Sequence, residues 1–361
     1  VKFSIFCFPL LVVACGSVPA PSPQREITAS LYENDDSNCG AEGYVCTDGR
    51  TCSDSRCSPA WIQISSTDAP SARGKAAAGF LQGKYVVFGG CTGFGSPTYP
   101  EAGGGAYDPT TDSWSTLPAM SVPRAQHVAV TTDTGIFSVG GLTTCWDGSA
   151  VGPKTDALFD LDGAWEKIDT SGVDPLYSLG LTWTGEKIVA YGGSNASVSA
   201  LSSGGILSLG SEWKDASCGL SGCARFGQFT IFHDDGVIHV WGGNGISSSA
   251  GLLYDMTNKT WYDWVVPSGT PDFTTVSPDG EPPRYADDGR RLYYLASNGH
   301  TLIFDRKTQS WVDDSSAPPS GFCAEAAAAW SGSEVIAWSG VCSSTFSNVG
   351  ARYQPPAPTV P

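Results

Sequence analysis

Few side chains in this sequence could do chemistry, and most of them are arginines and cysteines. Arg73, Arg124, Arg225 and Arg284 each stand just before or at the start of an apolar segment. Guanidinium groups converging on one spot would suit an anionic ligand such as a carboxylate-bearing sugar, because the planar fork matches a carboxylate bidentately. An arginine repeated at fixed phase would equally serve a backbone carbonyl or carboxylate of the neighbouring unit. Phe94, Tyr99 and Trp146 lie in long connections, where they would stack on sugar rings, anchor a protein partner or fill a loop core. His127, His233, His239 and His300 are scattered, and no HExxH, GxSxG or phosphate-cradling loop occurs. Adjacent acids such as Asp287 and Asp288 read as turn residues. These patterns lead us to expect no catalytic group, metal or cofactor.

Of 12 cysteines, Cys7 and Cys15 lie near the start. The other ten are Cys39, Cys46, Cys52, Cys57, Cys91, Cys145, Cys218, Cys223, Cys323 and Cys342. An even set with no CxxC pair reads as disulfides formed in an oxidising compartment rather than as metal ligands. The segment 39–57 is too small to bury a core and needs covalent staples. Two disulfides are expected there, with three connectivities open.

Lys2 is followed by an apolar run from Phe3 to Ala14, then Cys15. The run is shorter than the about 20 residues that span a bilayer and suits the core of a signal peptide. Val12-Val13-Ala14-Cys15 resembles a bacterial lipobox. The resemblance implies that residues 1–14 are removed and that Cys15 carries the lipid anchor; an ordinary leader cleaved near Ala20 is the alternative. Residues 15–38, rich in Ser, Pro and acids, read as a disordered tether. Gly16 and Ser17 lack the aspartate that retains lipoproteins at the inner membrane, which favours the outer membrane. The net charge of −16 argues against nucleic-acid binding, since it repels phosphate backbones.

The elements that must position these residues show in a repeat. Apolar strands ending in two small residues recur as YVVFGG, IFSVGG, IVAYGG, IHVWGG, LYYLAS and VIAWSG, closing at Gly90, Gly141, Gly193, Gly243, Ser297 and Gly340. Each of the first five units continues with an aliphatic or aromatic residue followed by a tryptophan: Tyr107 and Trp114, Phe159 and Trp165, Leu207 and Trp213, Tyr254 and Trp261, Phe304 and Trp311. The segments between them, such as DPTTDS, are hairpin-turn material. A diglycine period of about 50 residues resembles the kelch repeat.

That resemblance implies an all-β fold over residues 58–354, a six-bladed propeller of four-stranded antiparallel blades, with residues 355–361 as a Pro-rich tail. The sixth unit ends at Tyr353 without a tryptophan. The missing strand is Trp61-Ile62-Gln63-Ile64, which would close the ring as the outer strand of the last blade. The aromatic–Trp pairs should pack between blades. In blade 5, strand a falls around Arg284 or earlier in DFTTVS.

Within each blade the strands run a to d outward from the channel. The a–b turns are short and polar, whereas the b–c and d–a connections are long or variable and share one face, which nominates that face for binding. All six propeller cysteines map there. Cys91 and Cys145 would bridge loops of neighbouring blades, Cys323 and Cys342 would close one end of a hairpin, and Cys218 and Cys223 share a loop. Some kelch propellers are enzymes, but the two His, two Tyr and Tyr–Cys crosslink of the copper-radical oxidases have no counterpart here. The function expected is a monomeric, lipid-anchored envelope protein that binds an envelope protein or glycan. An enzyme acting on an anionic sugar at the channel mouth is the alternative.

Overall fold

A computed structural model describes residues 33–94, 98–145, 155–168, 177–194, 200–209, 211–225, 227, 229–243, 250–271, 284–296, 299–323, 326–342 and 345–358. Cys15, the leader and Trp146 lie outside the described residues. The chain divides into two units, one ending at Cys57 and one running from Ser58 to Pro355.

In the small unit, Thr51–Ser53 and Arg56–Ser58 form a hairpin. Disulfides Cys39–Cys52 and Cys46–Cys57 select one of the three open connectivities. Cys39, Cys52 and Cys57 are themselves the buried core of this piece, with Tyr44 packed against them. Sulfurs thus stand where a larger domain would place aliphatic side chains.

The large unit is a six-bladed β-propeller of four-stranded antiparallel blades. Blade 1 comprises Ala77–Leu81, Lys84–Phe88, Gly104–Asp108 and Ser113–Thr116. Blade 2 comprises Val128–Thr131, Ile136–Val139, Thr155–Leu158 and Glu166–Ile168, and blade 3 Gly180–Trp183, Lys187–Tyr191, Gly204–Ser208 and Trp213–Asp215. Blade 4 comprises Phe229–Asp234, Val237–Gly242, Ala250–Asp255 and Thr260–Val265, and blade 5 Tyr285–Asp287, Arg291–Leu295, Thr301–Asp305 and Ser310–Asp314. Blade 6 takes Ala327–Trp330, Val335–Trp338 and Gly350–Tyr353 from the end of the chain and Trp61–Gln63 from the start. Tyr353 pairs with Trp61, so the ring is closed by the N-terminal strand as expected.

The tryptophans do the packing between blades. Trp114 meets Trp338 of blade 6, Trp165 meets Phe88 of blade 1, Trp261 meets Tyr191 of blade 3, and Trp311 meets Trp241 of blade 4. Their indole N–H groups reach back to the segment that follows the previous blade's outer strand. Trp114, Trp165, Trp261 and Trp61 donate to the carbonyls of Ser65, Pro118, Ala216 and Ser316 at 2.7–3.0 Å. Trp311 instead donates to the Thr270 hydroxyl at 3.2 Å. These five tryptophans thus pack their rings between blades while satisfying their one donor, whereas the buried indole N–H of Trp213 in blade 3 has no partner among the described residues. Blade 2 corrects the expected pair: Ala157 opposes Glu166, which sets Leu158, not Phe159, beside Trp165. Phe159 faces the other way and packs on Phe137.

The diglycines join blade to blade through the backbone. The N–H of Gly90 donates to Arg124 O, that of Gly193 to Arg225 O, and that of Gly340 to Arg73 O. Gly90 has a φ of 82°, and a Cβ there would meet Gly74 O at 2.6 Å. Only glycine allows both the left-handed turn and this close approach.

Candidate functional site

Two regions of the propeller bring together groups that a ligand could use. The first is the face of the long b–c and d–a loops. There Cys91–Cys145 ties blade 1 to blade 2, and Cys323–Cys342 closes the end of the blade 6 hairpin. Cys218–Cys223 staples a tight loop before blade 4. All three pairs are those the sequence favoured. Beyond Cys342, Val341–Cys342 and Thr345–Phe346 form a small hairpin that sets Phe346 over Gly74. Phe94 lies parallel to Phe346, with centroids 4.3 Å apart, and is still 46% exposed. Tyr99 is 67% exposed on a loop pinned by the Cys145 N–H on Thr98 O and the Glu101 N–H on Gly90 O. Large aromatics held this open on braced backbone form a pre-organised contact surface.

The arginines divide into two groups. Arg73, Arg124 and Arg225 are 4%, 1% and 2% exposed. Arg73 donates to the carbonyls of Ser71, Gly89 and Gly103, and Arg124 to Gly140 O and the Asp156 carboxylate. Arg225 donates to Gly222 O and Ala224 O. Arg73 and Arg124 therefore cap the first carbonyl of their own blade's diglycine, while their main-chain carbonyls take the N–H of the previous blade's second glycine. Buried and bonded in this way, the three side chains serve the ring. Arg284 does not share their phase. Tyr285 opposes Tyr294 as Ala78 opposes Val87, so Arg284 is level with Ala77 inside strand a, four residues beyond the Arg73 position. Of the four arginines, it is Arg284 that lines the central channel.

That channel is the second region, a cavity of about 680 Å³ bounded by the inner strands. Its wall is mostly small and aliphatic, including Ala77, Gly79, Val128, Leu181 and Ala329. The a–b turn end differs. Phe80, Thr131, Trp183, His233, Asp287 and Trp330 all oppose the residue that opens their blade's repeated six-residue motif (Tyr85, Ile136, Ile188, Ile238, Leu292 and Val335) and so form one level of the ring. All but Phe80 line the cavity, together with Asp133, Asp234, Asp235 and Asp288. Asp287 pairs with Arg306, and Asp288 with Arg291 at 3.2 Å. His233 accepts from the Gly236 N–H, and burial together with nearby Arg306 holds its imidazole below the usual range. His233 lies at the a–b turn end, opposite the long-loop face that the sequence nominates for binding. The sequence does not reveal this aromatic level, because the six residues differ in type and align only once strand register is known.

His127 and His239 are structural. His127 is fully buried against Phe88 and Gly89, and burial with Arg124 and Arg284 nearby keeps its imidazole well below the usual range. His239 stacks on Phe232. His300 sits at the surface against Asp313. The four cysteine sulfurs of segment 39–57 are all consumed by disulfides.

Fold and loops define the class: a disulfide-braced six-bladed β-propeller, an architecture commonly used for binding. No protein-family model matches the sequence, and no curated protein matches it. Five disulfides suit an oxidising, extracytoplasmic compartment. Among the described residues no helix is long and apolar enough to cross a membrane.

Proposed function

We propose that this chain is a kelch-like binding protein of the bacterial cell envelope, anchored by a lipid on Cys15 and favouring the outer membrane. Its partner is an envelope protein or glycan, met as a monomer through the long-loop face. The observation that carries this reading is the stacked Phe94–Phe346 pair beside exposed Tyr99, with the Cys91–Cys145 and Cys323–Cys342 bridges in the same loops. Rings held in place before contact lose little conformational freedom on binding, and sugars and protein side chains both dock on such rings. Trp146, one residue past Cys145, is expected to extend the patch. The alternative, an enzyme for an anionic sugar, draws on convergent guanidinium groups. The burial and backbone bonding of Arg73, Arg124 and Arg225 favour the binding reading over it.

The test is capture of purified envelope glycans and outer-membrane proteins by the full chain with disulfides intact. It is compared with a Phe94→Ala/Tyr99→Ala variant and a Cys91→Ser/Cys145→Ser variant of equal thermal stability. Capture lost in the aromatic variant and weakened in the cysteine variant is the expected result. Equal capture by all three chains would move the binding surface elsewhere.

A further inference from the structure

From the a–b end of the central channel we infer a second binding site, which takes an organic ammonium group attached to an apolar body. This site lies at the opposite end of the ring's channel from the long-loop face and does not depend on the function proposed there.

The charge balance of the cavity comes first. Five carboxylates line its a–b end: Asp133, Asp234, Asp235, Asp287 and Asp288. Asp287 and Asp288 are neutralised by Arg306 and Arg291. Among the described residues Asp133, Asp234 and Asp235 make no ion pair. His233, held neutral at physiological pH, adds no opposing charge. Three negative charges thus remain around one mouth, whose low-dielectric walls focus their field. The charged residue lining the wall toward the other end is Arg284. The three carboxylates therefore draw a cation to the a–b end.

The wall chemistry then selects the kind of cation. Half-buried Trp183 and Trp330 line the same cavity, and Trp330 is fixed by parallel stacking on Tyr293 with centroids 5.5 Å apart. Indole faces attract ammonium groups, most strongly where water is excluded. A hard divalent cation instead needs six or more oxygen ligands in close array and gains nothing from tryptophan. Beyond the mouth the shaft is lined by Ala, Gly, Val and Leu, which would accept an alkyl chain but offer few partners to a polar one. Acid, aromatic ring and apolar shaft in sequence match an alkylammonium ligand inserted tail first.

The test titrates the full chain, disulfides intact, with n-hexylammonium chloride, followed by calorimetry and tryptophan fluorescence. Hexanol and hexanoate serve as neutral and anionic probes of the same length. We expect one saturable site per chain for hexylammonium, with hexanol weaker and hexanoate weakest. An Asp133→Asn/Asp234→Asn variant should bind hexylammonium about ten-fold more weakly and hexanol unchanged, and Trp183→Leu should weaken hexylammonium several-fold. Added salt should weaken the same binding in the unaltered chain, which tests the electrostatics without any substitution. Absence of saturable binding, equal affinity for all three probes, or an affinity indifferent to both carboxylates and salt would overturn the site. So would calcium filling the mouth in competition with hexylammonium and unaffected by Trp183→Leu, which would make it a metal site.

Discussion

Arg124 and Asp156 form an ion pair inside blade 2 with both side chains withdrawn from water. Arg124 also donates to Gly140 O at 3.1 Å, so it holds the blade's diglycine and its third strand together. Removing one member of a buried pair strands the other charge in a poor solvent, at a cost of about 3–5 kcal/mol. Arg124→Ala and Asp156→Ala should each lower unfolding free energy by about that amount in urea titrations. The double variant should lose clearly less than the sum, because the second removal strands nothing. Single losses under about 1 kcal/mol would place the pair in the class of weak surface bridges. With losses of the expected size, any binding defect of Arg124→Ala follows from a loosened ring, not from a lost ligand contact.

Trp61 is the counterpart of this argument at the seam. Its ring packs at a tilt on Tyr353, its strand partner, and its indole donates to Ser316 O at 3.0 Å, so one residue joins both halves of blade 6 to the segment after blade 5. Trp61→Ala removes a large buried ring and should cost about 3–5 kcal/mol by calorimetric or urea unfolding. Residues 61–63 also cover the outer edge of Gly350–Tyr353, which would otherwise present unpaired backbone groups. A chain starting at residue 66 should therefore self-associate in light scattering, while Trp61→Ala stays monomeric. A monomeric, equally stable truncated chain would show that the closing strand is dispensable.

Much of this architecture was legible because it repeats. Six strands ending in two small residues, four of them diglycines, and five Trp strands give phase, and phase gives blades, neighbours and the closing strand. The failures share one cause, a one- or few-residue uncertainty in register that spacing cannot remove. Phe159 and Leu158 precede Trp165 by six and seven residues, spacings that both occur in other blades, yet a shift by one residue turns a strand side chain to the other face. Arg284 reads as a fourth member of the arginine series until Tyr285 is seen opposite Tyr294. The repeat also could not say whether the arginines served a ligand or the ring. That depends on burial and on the carbonyls of Gly89 and Gly140. The Trp183–His233–Trp330 level was invisible for the opposite reason: it is the part of the inner strands that does not repeat.

Two imidazoles, His127 buried and His239 half-buried, should make stability depend on pH in a window where few other groups titrate. His127 has no hydrogen-bond partner for either ring nitrogen among the described residues, and its imidazole is held well below 6.5. Burial, with Arg306 and His233 nearby, lowers His239 to about 4. In the unfolded chain both protonate near 6.5, so below that pH the unfolded state binds more protons and folding loses stability. The loss begins as pH falls through 6.5 and continues to about 4 for His239, and further for His127. Each histidine contributes a slope of up to about 1.4 kcal/mol per pH unit. Asp108, Asp215 and Asp255, lowered from 3.8 by hydrogen bonds within their turns, and Asp305, lowered by Arg290 and its turn, add their loss only below that range. Urea midpoints measured from pH 7 to pH 4.5 should fall steadily in the unaltered chain. His127→Gln and His239→Gln should each flatten that slope even if they lower stability at pH 7. A midpoint constant across this window would mean that both imidazoles take up protons in the folded ring.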